Sequence, residues 1–160
     1  MRVAGIIRNS VVNGIGIRDV IFLQGCQHHC KGCHNPQTWR LDGGTNYSIM
    51  ELVDELKDSP NDITISGGEP LLQFSEVIRF MKYMSKNYGK RFWLYTGYTY
   101  REIPSYQLCL LAKYVDVLVD GRFKIEKKDL TLQFRGSSNQ RLINLPISWE
   151  EGIVIKWEDK

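Results

Sequence analysis

Residues 19–35, DVIFLQGCQHHCKGCHN, join a short apolar run to three closely spaced cysteines. The run at 20–23 is rich in β-branched and aromatic side chains and is bounded by Gly25, which is typical of a buried strand. The cysteines follow directly on its carboxyl end: Cys26, Cys30 and Cys33. This order predicts a strand that presents a cysteine loop at one edge of a sheet.

The same order of strand, loop and helix repeats along the chain. Ser48 and Glu51 form a capping-box signature, and the apolar residues after them recur at helical spacing as far as Pro60. Apolar runs predict strands at 20–23, 63–65, 92–95 and 115–119, alternating with helices at 48–58, 74–88 and 106–113. Beyond Arg122 the alternation dissolves, and we expect edge strands around 132–134 and 153–155.

Strands that alternate with helices over short connections predict an α/β fold with right-handed crossovers and a mainly parallel sheet. A length of 160 residues suits about one domain of the usual ~150 residues. It is too short for a full eight-unit barrel of ~250 residues. We therefore predict a single domain over 1–160, an incomplete TIM-type βα barrel with the cysteine loop at its carboxyl edge.

Composition excludes several classes of protein. With 42% hydrophobic and 24% charged residues, the chain is neither collagen-like nor largely disordered. A net charge of +3 is too small to bind nucleic acid through the field of the whole molecule. No stretch approaches a signal peptide or a run of ~18 apolar residues, so we expect a cytoplasmic protein without a membrane partner.

The three cysteines of the loop point to metal chemistry, because such crowding in a reducing compartment argues against disulfides. Three thiolates on one loop can hold three irons of a [4Fe–4S] cluster and leave the fourth iron open to a ligand. The alternative is a structural zinc site with His28, His29 or His34 as fourth ligand. Cys109 lies in a predicted apolar helix and is expected to be a small buried hydrophobe.

A second motif, Ser66-Gly67-Gly68-Glu69-Pro70, lies at the end of the next predicted strand. Its glycines would let the backbone approach a ligand closely, and Glu69 offers a carboxylate to an ammonium group. The alternative is an ordinary tight turn between strand and helix.

Together these two motifs resemble the radical S-adenosylmethionine superfamily. Within it, the chain closely resembles the activating enzymes of anaerobic (class III) ribonucleoside-triphosphate reductases. The segments that carry this second resemblance are Val12-Asn13-Gly14, Gly32-Cys33-His34-Asn35, Thr96-Gly97-Tyr98, residues 119–123 and the motif at 135–141, RGSSNQR.

The resemblance implies a set of ligand-binding residues. Cys26, Cys30 and Cys33 would hold one [4Fe–4S] cluster, whose open iron chelates the amino and carboxylate groups of S-adenosylmethionine. Gly67, Gly68 and Glu69 would line the methionine end of that cofactor. Gly32, Cys33 and His34 would flank the cluster where the cofactor packs.

The implied reaction needs no catalytic side chain beyond the cluster and the cofactor. One electron, from a flavodoxin-type donor, cleaves S-adenosylmethionine to methionine and a 5′-deoxyadenosyl radical. This radical takes a hydrogen atom from a glycine Cα of the large reductase subunit. The alternatives are an activase of the pyruvate formate-lyase type and a non-catalytic Cys3His zinc module.

The segment at 122–141 carries six basic residues against two acidic ones, and we interpret it as a docking face for the reductase. Asp120 and Arg122 follow the fourth predicted strand at the same edge. We expect Asp120 to reach the cofactor, with a simple turn as the alternative. The motif at 135–141 suits binding of a backbone or a carboxylate of the partner.

Overall fold

The computed structural model describes residues 1–158, which form one seven-stranded sheet and four α-helices. The strands are β1 (Arg2–Ser10), β2 (Arg18–Leu23), β3 (Thr45–Asn46), β4 (Asp62–Gly67), β5 (Phe92–Tyr95), β6 (Val115–Asp120) and β7 (Arg141–Asn144). The helices are α1 (Ile49–Leu56), α2 (Phe74–Tyr88), α3 (Ser105–Leu111) and α4 (Leu145–Glu151). Within these 158 residues no helix is both long and apolar enough to cross a bilayer.

The predicted α/β class is confirmed, and the sheet is mixed. Its strand order is β3-β1-β2-β4-β5-β6-β7. The four central strands, β2, β4, β5 and β6, pair in parallel. The outer strands β1, β3 and β7 pair antiparallel. Parallel pairing is therefore confined to the centre, where the sequence predicted its four strands.

The edges of the sheet differ from the prediction. Strand β1 was not among the predicted strands. Most of its residues are exposed, and its sequence lacks the apolar alternation of a strand with one buried face. Residues 132–134 are not a strand, since Phe134 has a left-handed backbone with φ of 59°. Residues 153–155 are not a strand either, and β7 forms the edge beside β6.

Helix α1 begins where the capping box predicts. The Glu51 amide donates to Ser48 Oγ at 3.1 Å, and the Ser48 amide donates to Glu51 Oε2 at 2.7 Å. The helix buries Leu52, Val53 and Leu56 in the main hydrophobic core. That core also takes the inward side chains of α2 and one face of the sheet, including Phe92 and Leu94.

The other face of the sheet carries a smaller apolar cluster, because alternate residues of a strand point to opposite faces. Trp93, Val117 and Val119 are buried there and pack against Phe134, Leu142 and Trp157. The four parallel strands end together beside this cluster. Their connecting segments start at Gln24, Gly68, Thr96 and Gly121, so the cysteine loop lies at the carboxyl edge, as predicted.

Truncation of a core residue of α1 should destabilise the fold. Replacing fully buried Leu52 with Ala leaves a cavity, and we expect a loss of about 2–5 kcal/mol in the free energy of unfolding. Met50 on the same helix is 48% exposed, and Met50→Ala should change it by less than about 0.5 kcal/mol. Urea denaturation of both variants measures the difference; equal midpoints would contradict the assigned packing of α1.

Candidate functional site

A cavity of about 650 Å³ opens at the carboxyl edge, within the ~300–1,000 Å³ that small-molecule sites occupy. The segments that follow all four parallel strands line it. Residues 11–13, before β2, and residues between 129 and 136, before β7, also line it. The predicted site residues on its surface are Cys26, Cys30, Cys33, His34, Gly67 and Gly68. The structure therefore brings the three cysteines and the two glycines to one place.

The cysteine loop turns sharply, and all three of its cysteines line the cavity. His29 and Gly32 adopt left-handed backbone conformations with φ of 47° and 76°. The Cys33 amide donates to the Cys30 carbonyl at 3.0 Å and closes the turn. Gly32 does not line the cavity, and a Cβ on it would overlap the Ile125 side chain. Its place in the motif thus has a conformational reason, because the left-handed backbone favours glycine whereas the end of the exposed Ile125 side chain can move aside.

The thiols fit a cluster in their donor chemistry. All four cysteines are free, and burial raises the pKa of both Cys26 and Cys30; the neighbouring Cys33 raises that of Cys30 further. A buried thiolate needs compensating positive charge, which iron supplies, and a coordinating thiol is deprotonated by its metal. Among residues 1–158, no group of three or more His, Cys, Asp or Glu side chains is placed so that it could hold one metal ion. In a cube, by contrast, each thiolate binds a different iron.

Gly67 and Gly68 are required where the next loop approaches the cysteine loop. A Cβ on Gly67 would overlap the backbone of Leu23, and one on Gly68 would overlap the carbonyl of Gly25. The Gly68 amide donates to the Leu23 carbonyl at 2.8 Å, and the Glu69 amide donates to the Gly25 carbonyl at 2.7 Å. The glycines thus allow two loop backbones to join, and both also line the cavity.

The Glu69 carboxylate is buried just behind the cavity wall, with 1% of the residue exposed. It accepts hydrogen bonds from the Thr96 hydroxyl at 2.9 Å and the Gly97 amide at 2.8 Å. A third comes from the Leu71 amide at 3.0 Å, and His28 Nε2 lies 2.7 Å from Oε2. Four protein groups therefore contact this carboxylate, and the expected contact of Glu69 with an ammonium group stays a prediction.

The positions of His28 and Thr96 at the site do not follow from any pattern in the sequence. Both line the cavity, and both are held there by Glu69. His28 was considered only as a zinc ligand. The signal that could have found them is the carboxylate itself, because a buried carboxylate needs hydrogen-bond donors.

Asp120 is also buried, and its carboxylate contacts Arg141 and the Tyr100 backbone. Arg141 donates to it through Nε at 3.0 Å and Nη2 at 2.5 Å, and the Tyr100 amide donates at 2.7 Å. The hydrogen bond to Asp120 raises the pKa of Arg141. Asp120 does not line the cavity, whereas its neighbour Arg122 does and pairs with Glu102 at 3.2 Å. The cofactor contact expected of Asp120 stays a prediction.

The motif at 135–141 folds back on the segment after β6. Gln140 Oε1 accepts hydrogen bonds from the amides of Gly136 and Ser137, and its Nε2 donates to the Gly121 carbonyl at 3.0 Å. Asn139 donates to the Arg122 carbonyl at 2.8 Å. Most polar groups of the motif are therefore used within the chain.

His34 lines the cavity and packs against Phe123, with ring centroids 5.0 Å apart. Cys109 lies on α3, is half-buried, and takes no part in the cavity.

Comparison with known proteins agrees with this geometry. The fold and the cysteine loop define an α/β iron–sulfur protein: a family model described as "4Fe-4S single cluster domain" matches residues 12–143. The chain is 42% identical over 139 residues to the anaerobic ribonucleoside-triphosphate reductase-activating protein of Vibrio cholerae, an alignment that covers 81% of this chain and 89% of that protein.

The proteins of the same name from Haemophilus influenzae and Escherichia coli are 37% and 36% identical to it. Each of these alignments covers 81% of this chain, and they cover 89% and 90% of the two relatives. The chain belongs to the family of anaerobic ribonucleoside-triphosphate reductase-activating proteins. The resemblance to the activating enzymes of anaerobic ribonucleoside-triphosphate reductases is confirmed.

A methyl group on Gly68 should push the two loops apart. Because the obstacle is the backbone of Gly25, we expect Gly68→Ala to lower the free energy of unfolding by about 1–3 kcal/mol. Gly5 in β1 has no atom within 4 Å of an added Cβ, so Gly5→Ala serves as the matched control. Thermal unfolding followed by circular dichroism compares them, and equal midpoints would refute the close approach.

Removing the Asp120 carboxylate should leave Arg141 without its partner. For Asp120→Ala we expect a destabilisation of about 1–3 kcal/mol, since the buried carboxylate is lost from Arg141, which is 36% exposed, and from the Tyr100 amide. Glu102→Gln weakens the half-exposed pair with Arg122 and should cost about 1 kcal/mol or less. Denaturant titration measures the free energy of unfolding of both variants. An Asp120→Ala variant as stable as the original chain would show that the ion pair with Arg141 does not stabilise the fold.

Proposed function

We propose that this chain is a glycyl-radical-generating activase. Its substrate is a glycine of the anaerobic ribonucleoside-triphosphate reductase named in the relatives. The observation that carries the proposal is the convergence of Cys26, Cys30 and Cys33 on one cavity at the carboxyl edge. A cluster with three protein ligands keeps one iron open to a small molecule, and the cavity volume leaves room for one beside it.

The cofactors of the proposal are one [4Fe–4S] cluster and S-adenosylmethionine. When bound, they supply a one-electron cleavage that yields methionine and a 5′-deoxyadenosyl radical able to take a hydrogen atom from the glycine Cα. The chain itself holds the cofactors and shields them from water. No side chain is assigned a proton transfer.

Within the cavity, Cys26, Cys30 and Cys33 are the proposed iron ligands. Gly67, Gly68 and His34 line the space beside them and are proposed to contact S-adenosylmethionine. Glu69 is proposed to act from behind the wall, since its buried carboxylate holds His28, Thr96 and Gly97 at the surface of the cavity.

The architecture suits a large protein substrate. We propose that residues 1–160 are one domain and that the sheet is a partial TIM-type barrel, with one side of the cavity open to the reductase. The flavodoxin-type electron donor is proposed from the family resemblance alone, and the cytoplasmic location stays a prediction.

Loss of one iron ligand should abolish the reaction. We expect anaerobically purified, iron-reconstituted chain to be brown, because thiolate-ligated iron–sulfur clusters absorb in the visible, and to cleave S-adenosylmethionine when reduced. Cys30→Ala should lose the cleavage, and Cys109→Ala should retain it because Cys109 lies outside the cavity. Chromatographic detection of 5′-deoxyadenosine measures both.

The substrate is tested by electron paramagnetic resonance. Incubation of the anaerobic reductase with the original chain, S-adenosylmethionine and a strong reductant should produce a glycine-centred doublet. No doublet on a competent reductase, or a doublet only on a pyruvate formate-lyase-type enzyme, would change the proposed substrate. A colourless chain with one zinc would replace the activase by a zinc module.

A further inference from the structure

The mouth of the cavity is bordered by apolar side chains that stand in solvent. Val11 and Val12 are 65% and 69% exposed and lie on the loop between β1 and β2. Leu130 is 87% exposed and lies with half-buried Leu132 on the segment between β6 and β7. All four line the cavity, and we call them the apolar rim. Exposed apolar patches on otherwise polar surfaces mark interaction sites.

The loop that carries the two valines is held in place by contacts on its inner side. The Thr64 hydroxyl of β4 donates to the Asn13 carbonyl at 2.6 Å. A Cβ on Gly14 would lie only 2.8 Å from the Trp93 ring, so the loop is pressed against the sheet. Its valines thus remain exposed on an anchored backbone.

The segment that carries Leu130 and Leu132 is anchored to the same part of the sheet. The Tyr95 hydroxyl donates to the Phe134 carbonyl at 2.7 Å, and the Phe134 ring packs edge-on against Trp93, 5.3 Å between centroids. The Asp129 amide donates to the Gly136 carbonyl at 3.2 Å and closes the base of the loop. Two fixed apolar surfaces therefore border one opening.

Charge beside the rim indicates what kind of partner fits. Lys124, Lys127 and Lys128 are exposed, and within residues 1–158 none of them forms an ion pair. A partner that offers apolar side chains and carboxylates would contact both the rim and these lysines.

We infer that the apolar rim is the docking surface for an extended, glycine-containing segment of the reductase polypeptide. Apolar side chains beside the glycine pack on the rim, and acidic residues face the three lysines. An extended segment suits an opening bordered by two chain segments, because its alternate side chains can contact one segment and then the other. This inference rests on the proposed function and adds the surface that selects the substrate.

The test is the binding of purified anaerobic reductase to the iron-reconstituted chain, measured by biolayer interferometry. Leu130→Asp and Val12→Asp change the two loops that carry the rim, and each should weaken binding by about tenfold or more. The matched control is Ile153→Asp, since Ile153 is 61% exposed and lies outside the cavity. It should bind like the original chain.

The lysines are tested by charge reversal. Lys127→Glu combined with Lys128→Glu should slow association, and raised salt should weaken binding of the original chain. Lys82→Glu combined with Lys86→Glu changes the net charge equally on α2, away from the cavity, and should have less effect.

The outcomes separate this inference from the proposed function. Cleavage of S-adenosylmethionine by the original chain without reductase tests the cofactor site, and the glycine-centred doublet tests the substrate. If both are observed and the rim variants bind the reductase as tightly as the control, the inference is wrong and the proposed function stands. If the original chain does not bind the reductase, the inference and the proposed substrate are both wrong.

Sedimentation velocity of the chain alone gives the remaining outcome. A dimer that Leu130→Asp converts to a monomer would show that the rim pairs with a second copy of this chain, which would overturn the inference.

Discussion

The buried carboxylate of Glu69 organises the carboxyl edge of the sheet. A carboxylate removed from water destabilises the fold by several kcal/mol unless donors replace its hydration. Its donors come from the cysteine loop, from its own loop and from the loop after β5, through His28, Leu71, Thr96 and Gly97. The segments that follow three parallel strands must therefore meet at one point. The cysteines lie on the cavity because this requirement holds the loop that carries them.

A second buried carboxylate joins distant segments of the chain at the end of β6. Asp120 at the end of β6 binds Arg141 at the start of β7, and Gln140 and Asn139 tie the intervening segment back to Gly121 and Arg122. The two networks together hold the segments that follow all four parallel strands. Such support matters for a cluster site, since iron ligands need side chains held close to their final geometry.

Several parts of this architecture follow from local sequence. The strands at the centre of the sheet are apolar runs, helix α1 starts at its capping box, and three cysteines within eight positions can only share one loop. The edges do not follow in this way. Strand β1 is mostly exposed, and residues 132–134, which look like a strand, are turned over the sheet by the left-handed Phe134 and the Tyr95 hydroxyl. Exposure and turn geometry depend on neighbours that a local pattern does not contain.

The sequence by itself determined the order of strands and helices, the cysteine loop and its family, because spacing and apolar periodicity are properties of adjacent residues. Only the tertiary structure decided what Glu69 and Asp120 do. Each carboxylate accepts hydrogen bonds from groups distant in the chain: His28 is 41 positions from Glu69, and Arg141 is 21 from Asp120. A carboxylate's partner depends on which segments pack beside it, and that packing, with the anchored walls of the cavity, exists only in the folded chain.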